Sequence, residues 1–150
     1  MSDKRQIIPA AGLLATIAAA VYMVVQLSGQ TATLTVDLTN AALAEVRDAQ
    51  GQVLLRGQFQ LGDEDDDDTE RKAVLAPTRV DTDAGGAAEV EFSKNAPAVQ
   101  EVEFAVRNVA PGAVLTFAID GVDVATATVD GKGRAEVELD VRMPGTPATR

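Results

Sequence analysis

Hydrophobic residues follow two different rules along this chain. From Ile7 to Leu27 they run almost without interruption (IIPAAGLLATIAAAVYMVVQL) and no charge breaks them. As a helix rising 1.5 Å per residue, a run of that length reaches about 31 Å, close to the roughly 30 Å of bilayer hydrocarbon. Pro9 falls in the first turn, where its missing N–H would have had no partner. The spacing predicts a transmembrane helix over 7–27.

From Thr31 the rule changes to strict alternation, the period of half-buried strands. Leu34, Val36 and Leu38 share one face of TATLTVDLT. Val53, Leu55, Phe59 and Leu61 share a parity interrupted by Gly57. Val102/Phe104/Val106, Leu115/Phe117/Ile119 and Val137/Leu139/Val141 continue the pattern. Turn-forming residues fall between the runs: Asp48-Ala49-Gln50-Gly51, Pro111-Gly112, Asp120-Gly121 and Asp130-Gly131-Lys132-Gly133. Asp120-Gly121, placed between two alternating runs, predicts a two-residue hairpin. The stretch 41–49 admits a short helix capped by Asn40, and a strand is the preferred reading. The expected fold is all-β, a small antiparallel β-sandwich or barrel-like domain over 28–142, preceded by the one helix. The last residues, 143–150, contain two prolines and no alternation, and are read as a disordered tail.

Charge supplies the orientation. Lys4 and Arg5 precede the apolar run, and the next charged residue is Asp37. The positive-inside rule then leaves residues 1–6 in the cytoplasm and places the β domain outside it, as a single-pass protein on the periplasmic or cell-surface side. The competing expectation is a cleaved signal with Ala18-Ala19-Ala20 as its cut site, which would yield a secreted soluble protein. A cut there would leave VYMVVQL at the new terminus, and the apolar run exceeds the usual signal length, so the retained anchor is preferred.

Composition removes several chemistries. The chain has no Cys and no His, so it lacks disulfides, the usual zinc ligands and any His-based catalytic dyad. The formal charge is −10 overall and −11 beyond residue 30, which disfavours nucleic acid and anionic headgroups. There is no Trp, and the four Phe all fall on apolar parities, so a sugar platform beside paired carboxylates is not expected. The sequence reads as non-catalytic.

One motif invites a ligand. Residues 62–70 (GDEDDDDTE) hold seven carboxylates in nine positions and read as an acidic loop at a hairpin tip. Asp63, Asp65 and Asp67 alternate like the first ligands of a Ca²⁺ loop, but the sixth position is not Gly and the twelfth is Val74. A solvated tip of repelling charges is the plainer reading, with Arg71-Lys72 able to fold back on it. Asp120 and Asp123 are expected to serve the turn backbone alone. A weak internal echo pairs Asp83–Phe92 (DAGGAAEVEF) with Asp130–Leu139 (DGKGRAEVEL), identical at six of ten positions. It reads equally as duplication or as convergence, with the Glu residues guarding exposed sheet edges. The functional expectation is a membrane-anchored, extracytoplasmic interaction or structural module of the envelope, bound to the bilayer through 7–27 and to a protein partner. A Ca²⁺-responsive module using 63–70 is the alternative.

Overall fold

The computed structural model describes residues 37–64, 67–79, 82–95 and 99–142. The proposed helix 7–27, Leu34, Val36 and the tail 143–150 lie outside the described residues. Among the described residues no helix is long and apolar enough to cross a membrane.

Among the described residues nine antiparallel strands follow one another: β1 (Leu43–Arg47), β2 (Val53–Gln58), β3 (Gln60–Glu64), β4 (Asp68–Pro77), β5 (Gly85–Ser93), β6 (Val99–Arg107), β7 (Val114–Ile119), β8 (Val122–Thr128) and β9 (Ala135–Arg142). They form one sheet in the order β8-β7-β1-β2-β4-β5-β6-β9, with β3 paired to β4. The sheet curls until β8 and β9 approach each other without a ladder between them. The domain is all-β, a nearly closed barrel-like sheet. Within the stretch 41–49 the chain forms strand β1 over Leu43–Arg47, the strand preferred from the sequence.

The alternating runs fill the barrel. Val102, Phe104, Leu115, Phe117, Ile119, Leu139 and Val141 are buried, and Phe104 meets Phe117 with ring centroids 5.0 Å apart. That contact links β6 to β7, which face each other across the barrel. All four Phe are core residues, as their parity implied.

The run from Val53 to Leu61 departs from a single strand. Leu55 and Phe59 are buried, but Leu61 is 59% exposed and Leu54, on the other parity, is buried. The ladder from β2 to β4 ends at Arg56, while pairing with β1 continues to Gln58, and at Gly57 a Cβ would collide with the Val74 carbonyl oxygen. β3 then pairs only with β4, so nothing covers the side of it that carries Leu61.

Turn chemistry closes the hairpins. Asp120 and Gly121 both have positive φ (49° and 81°), the geometry of a type I′ turn that matches strand twist. Asp48 and Asp130 build the same turn twice. Each accepts two backbone N–H groups on its carboxylate, from Gln50 and Gln52 and from Lys132 and Arg134 respectively. Each turn then ends on a left-handed glycine, Gly51 or Gly133.

Asp120 does more than serve its own turn. Its carboxylate accepts the backbone N–H groups of Ala42 and Leu43 (2.8 Å for Leu43), fastening the start of β1 to the β7–β8 hairpin. Toward the same end of the barrel, where β6 begins, Gln100 is fully buried and holds the segment that leads into β1. Its Oε1 accepts the Leu38 N–H at 2.9 Å and its Nε2 donates to the Thr39 hydroxyl at 3.1 Å. Replacing Gln100 by Leu strands a buried N–H, so a loss of about 1–3 kcal/mol is expected in urea unfolding. A loss below ~0.5 kcal/mol would show that water replaces the amide there.

Candidate functional site

An acidic surface on the outside of the sheet is the strongest chemical feature of the fold. It arises from register. On β4, β5, β6 and β9, alternation sends every second side chain outward, and two successive outward positions on each strand are Glu, Asp or Lys, flanked by an outward row of Val74, Ala87, Ala105 and Glu136. The ladders then align them. Glu70, Glu91, Glu101 and Asp140 lie opposite one another in a row across the four strands. Lys72, Glu89, Glu103 and Glu138 form the adjacent row. Seven of these eight residues are carboxylates.

Lys72 is the one ammonium within the two rows, and it is committed to one end. Its Nζ pairs with Glu70 and reaches Glu89 at 3.7 Å. The β6 and β9 acids have no cation between them in either row. Ionisation is correspondingly resisted. Burial, then a hydrogen bond shared with Glu70 and the Glu70 charge, push the Glu89 carboxyl up to about 7, with Lys72 opposing and Glu103 adding. Burial also raises Glu101, with further push from Glu138, Glu91, Asp140 and Glu103.

The opposite side of the barrel treats its outward charges differently. Glu45 on β1 accepts Arg56 through Nε at 2.9 Å and Nη2 at 2.6 Å, and Arg47 through Nη2 at 2.7 Å. Arg47 continues to Asp123 at 3.2 Å. The hydrogen bond from Arg47 is the main cause that holds the Glu45 carboxyl below its ordinary value, with Arg56 contributing and burial opposing. Each charge there has an opposite neighbour. This network is structural, and Asp123 joins it in addition to its place beside the turn.

The run 62–70 forms the end of the β3–β4 hairpin, and the strands climb into it: β3 extends to Glu64 and β4 begins at Asp68. The loop is therefore shorter than the acidic run. Of the three possible Ca²⁺ ligands, Asp63 lies in β3, and its side chain together with all of Asp65 lies outside the described residues. Asp67 is described and exposed. Its carboxylate accepts the Asn95 amide at 3.3 Å and its carbonyl accepts the Lys94 N–H at 2.8 Å. Among the described residues no group of three acids is arranged to hold a metal ion. Of the following pair, Lys72 does fold onto an acid of this run, Glu70, whereas Arg71 donates to the Thr39 carbonyl at 2.8 Å.

The echo strands turn out to be β5 and β9, the two neighbours of β6. Only β9 is at an edge. β5 is paired on both sides, so its Glu residues guard no edge and instead contribute to the acidic surface. The sequence shows the outward parity of these acids but not their alignment, because alignment depends on which strands become neighbours.

A hollow of about 520 Å³ adjoins the acidic rows where β5, β6 and β9 meet the turn after β8. Gly86, Ala87 and Ala105 line it along with exposed Arg107, Arg134, Asp130 and Glu136, whose charges offset. The chain matches no protein-family model, and no curated protein or solved structure is significantly similar to it.

Proposed function

We propose that the protein is a non-catalytic, membrane-anchored interaction module, with 7–27 as a single-pass anchor and the β domain displayed on the extracytoplasmic side. The observation that supports this reading best is the pair of carboxylate rows across β4, β5, β6 and β9. A surface so uniformly negative attracts a cationic protein segment and repels nucleic acid and anionic lipid. It also holds the domain off an anionic membrane to which the anchor ties it.

The test uses the full chain in a neutral detergent and an immobilised Lys/Arg-rich peptide, with a Glu-rich peptide as control. Binding is expected to the basic peptide alone and to weaken as salt shortens the screening length. Replacing Glu101, Glu103 and Glu138 together by Gln is expected to weaken it about tenfold, a loss of ~1.4 kcal/mol spread over three contacts. Equal binding by the substituted and native proteins would remove the acidic surface from the function.

A further inference from the structure

β9 is held on one side only. Among the described residues its ladder runs to β6 alone, and its other edge faces β8 across the gap where the barrel does not close. On the inside of that ladder Leu139 and Val141 are buried and hold the strand in place. On the outside the ladder sets like charges directly opposite: Glu101 faces Asp140, and Glu103 faces Glu138. Opposed side chains in an antiparallel pair stand about 4.5–5.5 Å apart, and like charges in that position weaken the pairing.

The surroundings add to the repulsion. Glu91 and Glu89 flank the β6 acids from β5, and Glu70 lies beyond them on β4. The cations on this side stand at the margins. Lys72 is held between Glu70 and Glu89, and Arg107 and Arg134 lie toward Glu136.

We propose that β9 is a pH-sensitive edge strand, loosened from β6 where Glu101 stands charged opposite Asp140 and tightened where Glu101 carries a proton. The raised Glu101 carboxyl agrees with this, since it retains its proton into a range where an exposed Glu has lost it. When β9 opens, the β6 edge is left unpaired, the arrangement that accepts a strand from a partner.

Amide hydrogen exchange of the full chain in a neutral detergent, corrected for intrinsic rates, reads this directly. Between about pH 5 and pH 8 the opening constant of the β9 amides is expected to grow about tenfold more than that of the β7 amides, which report the stability change shared by the whole domain. The double substitution Glu101→Gln/Glu103→Gln is expected to abolish this excess and to protect β9 at the higher pH. β9 protection equal at both pH values overturns the proposal. So does a β7 change as large as that of β9, which would mean global loosening alone, or an excess of β9 over β7 that survives the double substitution.

Discussion

Truncating Phe104 to alanine is expected to destabilise the domain by about 3–5 kcal/mol, the range for removing a buried aromatic ring from a packed core. Phe104 is fully buried on β6, and its ring packs on Phe117 of β7. The cavity would open between opposite walls of the barrel, and the walls cannot collapse onto it without bending ladders that run along both. With total stabilities of about 5–15 kcal/mol for domains, a loss of this size removes a large share. Urea unfolding of the full chain in detergent measures it. A loss under ~1.5 kcal/mol would show that the barrel flattens to close the gap and that its curvature is soft.

The second large effect is an acid-shifted stability optimum. Glu89 titrates near 7 in the folded chain, whereas an unfolded Glu titrates near 4.5. A carboxyl raised in this way binds its proton more tightly when folded. Its contribution is therefore fully present below pH 4.5 and is lost as pH rises through about 7. Glu101 acts in the same direction. Glu45 has the opposite sign: its carboxyl is lowered by Arg47 and Arg56, so its contribution is present above the ordinary Glu range and fades as pH falls through its lowered value.

Stability should therefore peak near pH 5 and decline toward pH 8. A third of the Glu89 side chain remains exposed, so solvent screening limits the decline to about 1–2 kcal/mol. Glu89→Gln keeps the shape and a hydrogen-bond donor to Glu70 while removing the charge. It is expected to raise stability at pH 8 and to flatten the profile between pH 5 and 7. A variant whose profile keeps the native slope would move the cause away from the Glu70–Glu89 pair.

Much of the fold is legible in the residues. Alternation at Val102/Phe104/Val106 and Leu115/Phe117/Ile119 gave the buried face of β6 and β7, because strand geometry fixes side-chain direction at period two. Asp120-Gly121 gave its turn because both backbone positions need positive φ. Asp48 and Asp130 gave theirs because a carboxylate two residues back satisfies turn N–H groups. Leu61 misled, since its parity promises burial only where an opposing wall exists, and β3 lies outside that wall.

The candidate site was half legible. That Glu89, Glu91, Glu101, Glu103, Glu138 and Asp140 point outward follows from local sequence. That they meet does not. It took the order β4-β5-β6-β9 and the registers Glu91↔Glu101↔Asp140 and Glu89↔Glu103↔Glu138 to make two rows of scattered acids.

The same division holds elsewhere in the molecule. The sequence by itself determined an all-β domain, the inward face of most strands, the positions of the turns and the sign of the surface charge, since each depends on a few adjacent residues. Only the tertiary structure decided which acids lie side by side, which one (Glu45) is shielded by two arginines, and which edge strand sets like charges opposite its one ladder partner. Those outcomes depend on pairings between distant strands, and electrostatic energy depends on separation in space, which spacing along the chain does not fix.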